Sequence, residues 1–410
     1  MGKMDLWYGF ACFGMDLLKN AGVLTLIAQN NWTTSTGAKK MRNKIICYGQ
    51  FLQMLDFNDY MVFEDSASIQ TMVMIFVKND RINNYQFDAR KLLPNAKKCD
   101  MLDLFAKKQT EKTKYSVPTV IRENYVDKLL TFNQNDDILN KLAKGKFYLQ
   151  EDEIAQGIVF PQDFLNRKGQ KILGSFNIGD GIFGLSNTEK ENLHLTDNEK
   201  CLIKPYFTTE QIHKYYTEKY NTLWLIYTDS SFKKPNSMDN YPNLKRHLDK
   251  FVSIFTSDNK PYGLHRARVE HFFKGKKIIV QRKCPDKPIF SYSDFDCYVT
   301  QTFFIIQTER WNMKFLTGLL NSTLVAFWLK NKGKMQGENY QVDKEPLMNI
   351  PIPAATNVQQ YPIINLVEDI ISSKDNDTTL STSKKEHEID TLVYNLYGLT
   401  DEEIKIMENE

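Results

Sequence analysis

The chain has 410 residues, 42% of them hydrophobic and 25% charged, and carries a net charge of +3 at pH 7. Such a length predicts roughly two to three domains with full cores, and the balance is that of a soluble globular protein, not a disordered or fibrous one. The small net charge excludes a global basic field, so a surface for nucleic acid has to be a local patch.

Six cysteines, at Cys12, Cys47, Cys99, Cys201, Cys284 and Cys297, show neither paired spacing nor a nearby histidine in zinc-finger arrangement. They predict reduced thiols in a cytoplasmic protein. The histidines show no ligand or triad spacing either. No apolar run approaches the roughly 18–20 residues of a membrane span, and the N-terminus lacks a secretory signal, so no membrane partner is expected.

Tyr8, Ala11, Cys12, Met15 and Leu18 recur at helical spacing and predict an amphipathic helix laid on a sheet. Val23 to Ala28 is a short apolar run that reads as a core strand buried beneath helices on both faces. Asn30, Asn31 and Trp32 follow at its carboxyl end, where open α/β sheets place their ligand crevices. Thr34 or Ser35 is placed to cap a helix whose Ala38, Met41 and Ile45 share one face. Phe51 to Phe57 predicts a second strand. Ser68 to Val77 predicts a third, apolar on both faces and therefore central. From Arg81 to about Lys144 the chain turns polar, and Lys107 to Lys114 reads as an exposed connector or a transient phosphate contact. Ile138, Leu139 and Leu142 mark a helix in its later part.

The next region reads as mixed and β-rich, with a glycine turn and strand start over 176–183, the run Leu202 to Phe207, and a strand at Leu223 to Tyr227. The basic segment from Leu264 to Lys283 carries Arg266, Arg268, Lys274, Lys276, Lys277, Arg282 and Lys283 against one acid, Glu270, around the apolar strand Ile278 to Val280. Cations on a rigid strand suit a line of phosphates, and forked arginines can read guanine edges; a solvated strand edge kept soluble by lysine is the other reading. Tyr298 to Gln307 is a strand with Thr300 and Gln301 as polar interruptions. Ile350 to Pro353 is extended by its prolines. Two apolar stripes, Ile363 to Ile371 and Ile389 to Leu396, then predict tail helices, and Thr400 to Glu403 is a capping box.

Lys3 through Trp7, Leu17 through Gly22, the strand from Val23, Asn31-Trp32 and Lys40 through Arg42 together resemble the second half of the catalytic domain of TaqI-like adenine-specific DNA methyltransferases, which include the type IIG restriction-modification enzymes. The resemblance continues from Tyr148 through Val159, similar to the entry of that family's target-recognition domain, and through Phe315 to Ser322, similar to the helix that closes it. It implies an α/β fold: the C-terminal half of a Rossmann-like methyltransferase sheet over 1–93, a partly helical connector over 94–145, a TaqI-like target-recognition domain over 146–353, and a helical tail over 354–410.

In that family an aromatic one residue after a valine stacks on the adenine flipped out of the duplex, and Phe63 after Val62 matches it. Read alone, Phe63 could equally plug the end of the sheet. The family's cofactor-binding glycine motif and its Asn-Pro-Pro-Tyr tetrapeptide occur nowhere in these residues. Asn259 to Gly263 imitates the tetrapeptide but follows no strand-and-crossover unit. The resemblance thus implies methyl transfer from S-adenosylmethionine to adenine N-6, with the cofactor held mainly by a missing N-terminal methyltransferase half or subunit, and double-stranded DNA as partner. This chain alone would be inactive. A non-catalytic DNA-specificity subunit working with a separate methyltransferase or nuclease is the alternative.

Overall fold

The computed structural model describes residues 5–63, 70–128, 130, 132, 136–144, 146–336 and 339–409. It divides into two compact units, residues 1–144 with 328–339 and residues 145–327 with 340–410. No described helix is long and apolar enough to cross a membrane.

In the first unit, helices α1 (Leu6–Leu17) and α2 (Lys39–Tyr48) share a core with strands β1 (Val23–Gln29), β2 (Gly49–Asp56) and β3 (Thr71–Lys78). The core forms because Leu24, Leu26, Met72, Met74, Phe76, Phe51 and Met54 alternate onto one face of the sheet, where Tyr8, Ala11, Met15, Met41 and Ile45 meet them. Strand β3 is central as expected, antiparallel to β1 on one side and to β2 on the other. The polar stretch after Arg81 also supplies strands. β4 (Asn84–Gln86) pairs with β7 (Thr119–Ile121), and β5 (Asp88–Leu92) and β6 (Thr113–Ser116) extend the sheet beyond β2. The first residues of the expected third strand, Ser68 and Ile69, lie outside the described residues.

Two expectations are corrected. Strand β1 is the outermost strand of the described sheet, and Val23 and Ile27 are 52% and 48% exposed. Its apolar run is continuous, yet only Leu24, Leu26 and Ala28 face the helices. Likewise, neither Thr34 nor Ser35 caps α2, which starts from Ala38 without a side-chain cap. The buried Arg42 guanidinium gathers the preceding turn instead, donating to the carbonyls of Trp32 at 2.7 Å and Ser35 at 2.5 Å.

The second unit holds β8 (Ile154–Gln156), β9 (Gly184–Ser186), β10 (Ile203–Tyr206), β11 (Tyr215–Tyr216), β12 (Leu223–Ile226), β13 (Lys277–Gln281), β14 (Lys283–Cys284), β15 (Phe290–Ser293) and β16 (Phe303–Ile306). One sheet runs β11-β15-β13-β16-β8 and a smaller one β10-β12-β9. Ile279, Phe303 and Ile305 from the first share a core with Leu185, Leu225 and Ile226 from the second. Phe147 and Ile352 exchange backbone hydrogen bonds at 2.8 Å, tying the start of the domain to its end. The tail helices Asn357–Asn376 and Ser383–Tyr397 pack on the helix Met313–Leu320. Gly318 permits the approach: a Cβ there would stand 2.5 Å from Ile363 Cγ2. The two tail stripes are therefore core, with Ile363, Val367, Ile370, Ile389 and Val393 buried. A mixed α/β sheet unit, a β-rich domain and a helical tail make up the expected fold class.

Candidate nucleic-acid interface

The basic segment is split by strand β13. Five residues of strand span roughly 17 Å, and the cations fall at its two ends. At the leading end Lys274 and Lys276 are exposed. Lys274 pairs with Glu270 at 3.0 Å, and Glu270 also accepts from the Tyr298 hydroxyl at 2.7 Å and meets Lys204 at 3.3 Å. Burial pushes the Glu270 carboxyl up, but the bonds from Tyr298 and Lys274 and the Lys204 charge outweigh it and leave it below the usual range.

Lys277 does not join them, which corrects the expectation that it contacts DNA. Its side chain is buried, and its ammonium donates to the carbonyls of Gly275 at 2.7 Å and Phe295 at 2.5 Å. Burial pushes its pKa down to about 8. Lys277 opens a strand that is buried on both faces over its first four residues, so its stem enters the core and only its tip finds acceptors.

At the trailing end the arrangement is denser. The segment Gln156 to Val159 lies between two others, because Gln301 donates its backbone N–H to the Ile158 carbonyl at 2.8 Å while Arg266 donates to Val159 at 3.0 Å. Gly157 fits there because any side chain would strike the Thr300 carbonyl, 2.1 Å from an added Cβ. The glycine serves this approach between backbones. Arg266 is exposed, and Arg268, two residues on and beyond the buried Ala267, is partly buried. Arg268 Nε donates to the Gly157 carbonyl at 3.2 Å and Nη2 to Gln156 Oε1 at 2.9 Å. Gln156 Nε2 donates in turn to the Gln301 carbonyl at 3.2 Å. Arg268 is thus held by neutral acceptors. Burial and then the charge of Arg266 lower its pKa from the usual guanidinium range.

Arg282 stands beside the same turn, its backbone N–H on the Thr302 carbonyl at 3.0 Å. Its Nε donates to Asp343 at 2.7 Å, which neutralises part of its charge, whereas Lys283 is exposed. The sequence reading missed Gln156, the Thr302 carbonyl that accepts from Arg282, and the Gln301 carbonyl that holds Gln156 beside Arg268. The polar interruption at Thr300 and Gln301 within an apolar strand was the available signal.

Phe63 lies in the other unit, after β2, and is 47% exposed. Glu64 to Ser66, which follow it in the expected loop, lie outside the described residues. Trp32, at the carboxyl end of β1, is fully buried and donates its Nε1–H to the Met72 sulfur at 3.1 Å, and Asn30 Nδ2 donates to Asp56 at 3.0 Å. The tetrapeptide imitation is part of a structural turn: Asn259 Nδ2 donates to the Leu264 carbonyl at 3.0 Å and the Tyr262 hydroxyl to Asp249 at 2.6 Å.

Two family models match this chain. Residues 204–352 match the TaqI-like C-terminal specificity domain, and residues 1–63 match the Eco57I restriction-modification methylase. The resemblance drawn from the residue motifs therefore stands: matches to a TaqI-like specificity domain and to a restriction-modification methylase fall on one chain. Among curated relatives, the type II methyltransferase M.HincII of Haemophilus influenzae is 22% identical over 357 residues, covering 85% of this chain and 66% of the relative. M.HindII, from a strain of the same species, is 23% identical over 368 residues, covering 85% of this chain and 67% of the relative. The chain thus spans about two thirds of the length of these relatives. The fold is shared with the type IIL restriction-modification enzyme MmeI, solved in complex with DNA, at a TM-score of 0.61 and 12% identity, over 97% of this chain and 50% of that one.

Proposed function

We propose that this chain supplies DNA target recognition to a site-specific adenine methyltransferase of a type IIG-like restriction-modification system, which moves a methyl group from S-adenosylmethionine to the N-6 amino group of a flipped adenine. The observation that carries the reading is the cluster of Arg266, Arg268, Arg282 and Gln301, within the segment that matches a specificity domain, with Gln156 bonded into it from outside that segment. Cations there neutralise phosphates, and arginine and glutamine forks match base edges. Lys274, Lys276 and Lys283 add exposed positive charge. Phe63 offers the aromatic face on which an extruded adenine stacks.

The residues present do not fit the cofactor. Neither the glycine motif nor the tetrapeptide is in the sequence, and Trp32 and Asn30 at the carboxyl end of β1 are committed to the core and to Asp56. S-adenosylmethionine is assigned to a partner methylase segment that bears those two motifs. Strand β1 has a ladder on one edge only among the described residues, and α1 exposes Leu6, Phe10, Phe13 and Leu17, which supports docking of such a segment on this unit.

Selection of duplexes from a randomised pool at about 150 mM salt, where non-specific phosphate binding is weakened, tests the reading. An enriched short motif is expected from the purified chain, or from the chain with the methylase segment added. No enrichment in either form would sink it. Methyl transfer by the combination, with cleavage absent, separates the methyltransferase reading from a specificity subunit that guides a separate nuclease.

A further inference from the structure

The seven cations of the basic segment are not equivalent, and their hydrogen bonds sort them. Lys277 is buried, Lys274 is paired with Glu270, and Arg282 is paired with Asp343. Arg268 and the Gln156 amide are each held at both ends, so their positions are fixed before any ligand arrives. What this frame presents is different. Among the described residues Arg266 is exposed with no ion pair, and Gln301 is exposed with its backbone bonded and no partner on its side-chain amide. Both flank the segment Ile158–Val159, one on each side. Adjacent strands lie about 4.8 Å apart, so their backbones stand on the order of 10 Å from each other, within the width of about 12 Å of a DNA major groove.

We propose that Arg266 and Gln301 are the side chains that read base edges, Arg266 taking a guanine and Gln301 an adenine in the major groove, with Arg268 and Gln156 as the frame that positions them. The assignment rests on the DNA-recognition reading above and sharpens it to two positions of the site. A guanidinium presents two parallel donors that match guanine O6 and N7, and a carboxamide presents the donor and acceptor that match adenine N7 and N6. Two guanidiniums close together without an acid repel each other, and an electronegative base edge relieves that repulsion. Lys274 and Lys276, at the far end of β13, have no fork to offer and are left with phosphates.

The test compares duplex selections by the full chain, with the methylase segment present if the wild type needs it. Arg266→Lys keeps the charge and removes the fork. It is expected to flatten a guanine position of the enriched motif by about 10- to 100-fold, with binding of a motif-free duplex changed by less than about threefold. Gln301→Ala is expected to flatten an adenine position in the same way. Arg268→Lys is expected to blur both positions while the thermal midpoint stays within a degree or so, a result that a purely structural role would not give. The assignment is overturned if Arg266→Lys leaves the motif intact. It is equally overturned if Arg266→Ala weakens all duplexes alike and lowers the salt slope by about one, the mark of a phosphate contact. A wild type that enriches no motif overturns the recognition reading itself, and this assignment with it.

Discussion

Lys277 donates its ammonium to the backbone carbonyl of Phe295 at 2.5 Å from a fully buried side chain. It therefore ties β13 to the loop after β15 and takes no part in a charged surface. Lys277→Ala is expected to destabilise the chain by about 2–3 kcal/mol, from lost charge-assisted hydrogen bonds and an emptied site, with DNA affinity of the folded protein unchanged. Lys276→Ala, one residue away and exposed, should do the reverse: unchanged stability, and a salt dependence of DNA binding shallower by about one phosphate. Chemical denaturation and salt-titrated binding of the two variants check the pair together.

The same burial gives Lys277 a pH signature. Its folded pKa is about 8, against about 10.4 for a lysine in an unfolded chain. Between these values the unfolded state holds the more protons, so stability from this group rises with pH. The contribution is complete above about 10.4 and is lost as pH falls through about 8. Lys277→Met removes the titration. The difference in Tm between wild type and Lys277→Met should shift in favour of wild type from about pH 7.5 to about pH 10, and a constant difference would refute the assignment.

Much of the fold was legible in the sequence because its signals are periodic. The alternation of Met72, Met74 and Phe76 with Val73, Ile75 and Val77 marked β3 as central, and the stripes through Ile363 and Ile389 marked the tail helices. Strand β1 was misjudged for a physical reason: apolar residues on both faces show what a strand is able to bury, and Val23 and Ile27 remain half exposed in these residues. The basic segment was legible as a patch, but charge says nothing about where a side chain ends. Lys277 and Lys276 are neighbours in sequence and opposites in burial. The Arg268–Gln156–Gln301 chain of bonds joins residues more than a hundred positions apart, which no local spacing encodes.

A Cβ added at Gly318 would stand 2.5 Å from Ile363 Cγ2 and 3.1 Å from Val367 Cγ2, where the helix Met313–Leu320 meets the tail. A methyl group at 318 cannot enter without moving Ile363. Gly318→Ala is expected to cost about 1–3 kcal/mol by overpacking, even though alanine favours a helix. Ile363→Leu removes the β-branch methyl that an added Cβ would strike, at nearly constant volume, so the double variant should recover part of the loss. A coupling energy of at least about 0.5 kcal/mol in a double-mutant cycle is the expected readout; strict additivity would place the cost elsewhere.

Helix α1 is apolar all round. Tyr8, Ala11 and Met15 are buried against the sheet, while Leu6, Phe10, Phe13 and Leu17 are 60–77% exposed at helical spacing on the other side. A contiguous exposed stripe of this kind marks an interaction surface, and the partner methylase segment proposed above is its expected occupant. Because Phe10 and Phe13 contact little of the core, Phe10→Ser with Phe13→Ser should leave the Tm of the chain within about a degree. Burying one phenylalanine is worth about 1.5–3 kcal/mol, so the pair should weaken association with the methylase segment by about 100-fold or more. Calorimetric titration of the segment into both forms measures the difference, and equal affinities would exclude α1 from the interface. Sedimentation of the chain alone supplies the control: a concentration-dependent dimer abolished by the same substitutions would make a second copy of the chain the occupant.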